Sequence, residues 1–121
     1  MVDPDLERAK RLLKSAKDLH EQGDLSGVAG LAYAAFESAA ISLAGKINGK
    51  DPGNHTKRRE RVKKELNKYQ DKIHLLWDVR NVDFYGNEKI GYPKREITEK
   101  EVGEGLNAVE KIIEEIEKIV K

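Results

Sequence analysis

Two charged side chains occupy positions where the hydrophobic pattern of the chain predicts a buried surface. Glu37 is the only charged residue between Leu25 and Gly45. Arg80 follows a helically spaced apolar row, which consists of Val62, Leu66, Tyr69, Ile73 and Leu76. Because a buried charge without a partner is costly, we expect Glu37 and Arg80 to approach within salt-bridge or one-water distance. The planar guanidinium of Arg80 also suits phosphate, so the two residues predict a structural ion pair or a phosphate-binding cleft.

A second concentration of charge lies at residues 57–64, where six of eight residues are basic and one is acidic. A run of this kind is usually a solvated helix face. The alternative is a track for an RNA backbone, held by salt-sensitive phosphate contacts and by an aromatic ring that stacks on a base. On that alternative, the candidate nucleic-acid-binding residues are Lys57, Arg58, Arg59, Arg61 and Tyr85.

Residue types exclude several classes of site. The chain has no cysteine, which excludes disulfide frameworks, thiolate zinc sites and cysteine nucleophiles. Its three histidines, His20, His55 and His74, are scattered along the sequence. The chain also lacks a P-loop, a GxGxxG motif and a paired-carboxylate metal motif. We therefore expect no metal and no cofactor.

Composition predicts one small cytoplasmic domain over residues 1–121. The 23 basic and 22 acidic residues give a net charge of +1, so no overall field marks a nucleic-acid or membrane binder. Charged residues near the N-terminus predict that no signal peptide is present. The composition, rich in Lys and Glu and free of Cys, also fits a thermophile.

Helical periodicity dominates the chain and predicts an all-α, antiparallel bundle of four to five helices. Asp3-Pro4 and Thr98-Glu99-Lys100-Glu101 are typical of helix N-termini. The second helix is the most apolar and is expected in the middle of the bundle, and its Gly, Ser and Glu37 argue against a membrane span. The predicted helices are 4–22, 25–48, 55–81 with a break near Gln70-Asp71, and 98–120.

Two short segments carry a family resemblance: Ala32-Tyr33-Ala34-Ala35-Phe36-Glu37-Ser38-Ala39 and Arg80-Asn81-Val82-Asp83-Phe84-Tyr85. Together with the order of the predicted helices, they resemble the HEPN domains (higher eukaryotes and prokaryotes nucleotide-binding). The resemblance extends over most of the chain and implies a small helical bundle that is usually dimeric. Many members are metal-independent ribonucleases with an Arg-x(4–6)-His motif, in which Asn often follows the arginine.

The histidine of that motif is missing here. Arg80 and Asn81 match, but Tyr85, Gly86 and Asn87 stand where the histidine is expected. Cleavage of RNA through its 2′-hydroxyl needs a proton acceptor and a cation, and tyrosine, with a pKa of about 10, is a poor base at neutral pH. His55 or His74 could replace the missing base only if folding brings one of them beside Arg80.

The sequence therefore predicts an HEPN-like nucleotide- or RNA-binding domain with weak or lost metal-independent ribonuclease activity. Its candidate catalytic residues are Arg80, Asn81 and Glu37. We expect a homodimer in which the helix of Trp77 and Arg80 contacts its mate, and the resemblance implies a nucleotidyltransferase partner in a toxin–antitoxin system. Two alternatives stay open: a non-catalytic protein-interaction bundle, and an unrelated structural bundle with a similar helical pattern.

Overall fold

The computed structural model describes residues 3–51, 53–85 and 96–121. These residues form five helices and no strand, which confirms the predicted all-α helical bundle. A short 3₁₀ turn, Asn67–Tyr69, separates the third helix from the fourth. The helices are α1 (Pro4–Glu21), α2 (Leu25–Asn48), α3 (His55–Glu65), α4 (Gln70–Tyr85) and α5 (Glu99–Val120).

Local capping chemistry sets the helix ends. The carboxylate of Asp3 accepts hydrogen bonds from the backbone N–H groups of Asp5 and Leu6, both at 3.1 Å, and so begins α1. Gly49 ends α2 with a φ of 82°, a left-handed conformation that glycine adopts without steric cost. Thr98 and Glu101 form the predicted capping box at the start of α5. The ends predicted from these residues are confirmed.

Helix α2 is the centre of the bundle and packs against all four other helices. Val28, Phe36 and Leu43 are fully buried along its length. The stretch Leu25–Ile47 is long and apolar enough to cross a membrane, yet 67% of its most apolar window is buried inside the bundle. This burial is what a core helix requires, because a helix that is apolar nearly all round needs neighbours on every side.

The segment predicted as one helix over 55–81 is two helices. α3 ends at Glu65 and α4 begins at Gln70, so the break lies just before the predicted position. α4 also continues to Tyr85, beyond the predicted end. The apolar row survives the break, because Val62 and Ile73 are both fully buried.

Ion pairs show that α1 and α5 run antiparallel. Lys10 pairs with Glu117, Lys17 pairs with Glu110, and Nε2 of His20 lies 2.6 Å from the carboxylate of Glu99. The partner's residue number falls as the residue number on α1 rises, as antiparallel packing requires. We call these three pairs the α1–α5 seam.

Candidate functional site

Polar side chains of α2, α3 and α4 meet around two aromatic rings. The rings belong to Tyr33 on α2 and Trp77 on α4, and their centroids are 5.3 Å apart. Tyr33 is buried, whereas Trp77 is partly exposed. We call the whole group the aromatic cluster, which consists of Tyr33, Glu37, His55, Arg58, Arg59, Trp77, Arg80 and Asn81.

Each of the three helices contributes to the aromatic cluster at helical spacing. Tyr33 and Glu37 are four residues apart on α2, and Trp77 lies three and four residues before Arg80 and Asn81 on α4. On α3, His55 precedes Arg58 and Arg59 by the same intervals. Residues at i, i+3 and i+4 share one helix face, so three helix faces point at one site.

Glu37 pairs with residues of α3. Nδ1 of His55 donates a hydrogen bond to the Glu37 carboxylate, and Nη1 of Arg58 lies 3.5 Å from the same oxygen atom. The direct salt bridge expected between Glu37 and Arg80 is not formed, and the side chains that contact this carboxylate come from α3. Asn54 caps α3 by accepting from the backbone N–H of Lys57, which places His55 in the first turn beside Glu37.

Arg58 is neutralised by two carboxylates. Its Nε and Nη2 atoms donate to the two oxygens of Asp51 at 2.9 and 2.7 Å, in addition to its contact with Glu37. The hydrogen bond from Arg58 lowers the pKa of Asp51, so this carboxylate stays ionised. Arg58 therefore ties the chain that follows α2 to α3, and its charge is already compensated inside the protein.

Arg59 is held by aromatic rings. Its guanidinium carbon lies 3.7 Å from the centroid of the Trp77 ring, and Nη1 donates to the hydroxyl of Tyr33 at 3.3 Å. Within the described ranges of the chain, Arg59 pairs with no carboxylate. Stacking orders the guanidinium while leaving its charge uncompensated and part of its hydrogen-bonding edge open.

Arg80 lies beside the same two rings. Its guanidinium carbon is 5.3 Å from the Trp77 centroid and 5.8 Å from the Tyr33 centroid. Nη1 of Arg80 donates to the side-chain oxygen of Asn81 at 2.8 Å, and Asn81 is only 2% exposed. The two residues that match the family motif, Arg80 and Asn81, therefore contact each other, and the buried amide orients the partly exposed arginine.

The hydroxyl of Tyr33 is a neutral group. Burial raises the pKa of Tyr33 to about 12, although the hydrogen bond from Arg59 acts in the opposite direction. At neutral pH, Tyr33 remains a phenol that cannot accept a proton from a substrate. Its role in the aromatic cluster is to support Arg59 and to supply one ring of the pair.

The other predicted site residues lie outside the aromatic cluster. Lys57 is exposed and Arg61 is half-buried, and together with Glu60 and Lys64 they line an open groove on α3. The side chain of Tyr85 lies outside the described residues, as do Gly86 and Asn87 entirely. His74 is exposed on α4, 3.6 Å from the carboxylate of Asp78. Among the residues that the structure describes, no group of three or more acidic or histidine side chains could hold a metal ion.

Sequence reasoning named His55 only as a conditional replacement for the missing base, and it missed the contact of His55 with Glu37 and the ring of Tyr33. A usable signal exists within each helix, because the i, i+3 and i+4 spacing of the polar and aromatic residues is visible in the sequence. No such signal joins Glu37 to His55, since that contact depends on how α3 folds back over α2. The placement of His55 beside Glu37 comes from tertiary structure.

Comparison with known proteins agrees with the helical architecture. The family model described as HEPN domain matches residues 5–119, which is nearly the whole chain. No curated protein and no solved structure matches the chain. HEPN domains have a fold of the nucleotide- or RNA-binding type and often dimerise. Because the match covers nearly every residue, the chain belongs to the HEPN domain family.

Proposed function

We propose that Arg59 and Arg80 of the aromatic cluster bind the phosphate groups of RNA or of a nucleotide. The observation that supports the proposal is the placement of both guanidinium groups beside the Trp77 ring, at 3.7 and 5.3 Å from its centroid. The nearby carboxylates are engaged elsewhere, because Glu37 pairs with His55 and Arg58. Arg59, which meets no carboxylate among the described residues, therefore gives the aromatic cluster local positive charge on a chain that is almost neutral overall.

Phosphate is the anion that this arrangement suits best. A guanidinium presents a planar fork of N–H donors that matches two phosphate oxygens, and charge-assisted hydrogen bonds of this kind are short and strong. The rings of Tyr33 and Trp77 order Arg59 before a ligand arrives, which lowers the entropy cost of binding. Lys57 and Arg61 on α3 extend the positive surface along a second stretch of backbone phosphates.

The wider context follows from the family. We propose that the domain forms a homodimer and acts with a nucleotidyltransferase in a toxin–antitoxin pair, as the family resemblance implies. Light scattering at micromolar concentration tests the first part, because a monomer mass would contradict a stable dimer. Co-purification with a nucleotidyltransferase encoded next to this chain in its genome tests the second.

The experiment for the binding site is a titration of a short, fluorescently labelled single-stranded RNA, followed by anisotropy. Loss of a hydrogen bond to a charged group costs about 1.5–3 kcal/mol, so Arg59→Ala or Arg80→Ala is expected to weaken binding roughly tenfold to a hundredfold. The matched control is Arg11→Ala, which removes an exposed guanidinium from α1, a helix that contributes no residue to the aromatic cluster. Equal affinity of all three variants and the wild type would contradict the proposed site and favour a protein-interaction bundle.

A further inference from the structure

We propose that His55 and Glu37 form a general-base dyad that lets the aromatic cluster cleave RNA at a 2′-hydroxyl, without the histidine that the Arg-x(4–6)-His motif would supply. This inference rests on the proposed binding of RNA at Arg59 and Arg80. It assigns the proton acceptor to α3, whereas the family motif would place it after Arg80.

The first support is the hydrogen bond between His55 and Glu37. In the neutral imidazole, an Nδ1 that donates to the Glu37 carboxylate leaves Nε2 as the proton acceptor. The Glu37 side chain is only 14% exposed, whereas that of His55 is 45% exposed. The carboxylate thus lies behind the imidazole and orients it, while the imidazole itself reaches solvent.

The second support is the position of His55 relative to the cations. Its ring centroid is 5.4 Å from that of Trp77 and 6.0 Å from that of Tyr33. The guanidinium carbon of Arg80 lies 5.3 and 5.8 Å from the same two centroids. The base and the cation therefore lie beside the same two rings, and Arg59 stacks on the ring of Trp77.

These groups can perform a balanced transesterification. Nε2 of His55 takes the proton of the 2′-hydroxyl while the 2′-oxygen attacks the adjacent phosphorus atom. The bond from phosphorus to the 5′-oxygen breaks, and solvent water protonates the leaving oxygen. The products are a 2′,3′-cyclic phosphate and a 5′-hydroxyl, and His55 returns its proton to solvent. Arg59 and Arg80 stabilise the negative charge that develops on the phosphorane oxygens.

Other described residues are less suited to the role of proton acceptor. Tyr33 is buried and neutral because its pKa is raised to about 12. His74 is 68% exposed and lies beside Asp78, with no ring of the aromatic cluster near it among the ring contacts of the described residues. His20 belongs to the α1–α5 seam, where it pairs with Glu99. Of the three histidines, His55 is the one placed in the aromatic cluster.

The test compares cleavage and binding of one RNA substrate, with EDTA present to suppress metal-dependent nucleases. Wild-type protein is expected to produce 2′,3′-cyclic phosphate ends, and His55→Ala is expected to cleave about 10²–10⁴ times more slowly while its affinity for uncleavable 2′-O-methyl RNA stays the same. Free imidazole should partly restore cleavage by His55→Ala, because the small molecule can occupy the space left by the side chain. His74→Ala, which removes a histidine outside the aromatic cluster, should cleave at the wild-type rate.

Glu37 acts through His55, so Glu37→Gln is expected to lower kcat with little change in KM. An equal kcat in Glu37→Gln would remove Glu37 from the proposal. Wild-type protein that binds 2′-O-methyl RNA but cleaves no RNA, or equal cleavage by His55→Ala, would overturn the dyad and leave the proposed binding intact. Failure to bind the RNA at all would instead contradict the proposed function.

Discussion

The α1–α5 seam and the aromatic cluster use the same kinds of charged residue in opposite ways. In the seam, Lys10 pairs with Glu117 and Lys17 pairs with Glu110, so each cation meets a carboxylate of the facing helix. In the aromatic cluster, Arg59 stacks on Trp77 and Arg80 lies beside the same ring, while Glu37 is engaged by α3. Charge is cancelled in the α1–α5 seam, whereas Arg59 of the aromatic cluster meets no carboxylate among the described residues.

The difference shows where a chain with a net charge of only +1 can hold functional charge. Paired surface charges add little to stability and leave no local field. Arg59, which is ordered by aromatic rings and meets no carboxylate among the described residues, keeps its charge available for an anionic ligand. The net charge of the whole chain therefore says little about the class of its ligand, since the positive charge that matters lies where α2, α3 and α4 meet.

The largest expected effect is the difference in RNA affinity between substitutions in the aromatic cluster and substitutions in the α1–α5 seam. The double variant Arg59→Ala/Arg80→Ala should weaken single-stranded RNA binding by at least about a hundredfold, because two charge-assisted contacts are lost. The matched double variant Lys10→Ala/Lys17→Ala removes the same formal charge from the α1–α5 seam. Its affinity should stay within about twofold of the wild type at equal salt, measured by the same anisotropy titration.

Much of the fold could be predicted because helix ends are encoded locally. Asp3 with Pro4, and Thr98 with Glu101, mark N-termini through hydrogen bonds that span only a few residues. The range 25–48 predicted for the second helix is confirmed by α2. The end of α4 was less predictable, because residues 82–85 carry no capping signal and continue the helix.

The site was less predictable because its contacts join residues of different helices. Arg80 and Asn81 are neighbours in the sequence and could be named from the family motif, whereas the hydrogen bond between their side chains comes from the structure. The partner of Glu37 depends on the packing of α3 over α2. The hydrophobic pattern of a helix does not predict which side chain will contact this carboxylate. His55, eighteen residues beyond Glu37, contacts that carboxylate, while the guanidinium carbon of Arg80 lies 5.3 Å from the centroid of the Trp77 ring.

The next effect concerns stability on the seam side of the bundle. Asp3 caps α1 and also accepts a hydrogen bond from Ser42 of α2 at 2.6 Å. Asp3→Ala should lower the free energy of unfolding by about 1–2 kcal/mol, because the cap and the link between helices are lost together. Urea unfolding measures the change, and RNA affinity should be unaffected. An unchanged midpoint would show that the cap contributes nothing.

A smaller, pH-dependent effect is expected at the edge of the aromatic cluster. Arg58 lowers the pKa of Asp51 in the folded state, so the ion pair stabilises the fold at pH values above the ordinary carboxyl pKa. This contribution, about 1 kcal/mol, is lost as the pH falls through the lowered folded-state pKa. Asp51→Asn should therefore show a weaker acid dependence of unfolding than the wild type. Equal acid dependence would contradict a role for the pair.

The smallest effect is expected in the seam itself. Glu117 accepts hydrogen bonds from Lys10 and from Lys121, and the bond from Lys10 contributes most to lowering its pKa. Because the group is close to solvent, Glu117→Gln should lower Tm only slightly at low ionic strength, and the difference should vanish near 1 M salt. A large, salt-independent loss of Tm would show that the α1–α5 seam is more than a set of screened surface pairs.

The salt dependence of RNA binding tests most directly whether the aromatic cluster contacts phosphate. For single-stranded RNA, the plot of log K against log salt becomes shallower by about 0.7 for each phosphate contact that is removed. We predict a slope reduced by about 0.7 in both Arg59→Ala and Arg80→Ala, and an unchanged slope in Arg11→Ala. Slopes equal to that of the wild type in both aromatic-cluster variants would contradict the assignment of the phosphate site to Arg59 and Arg80.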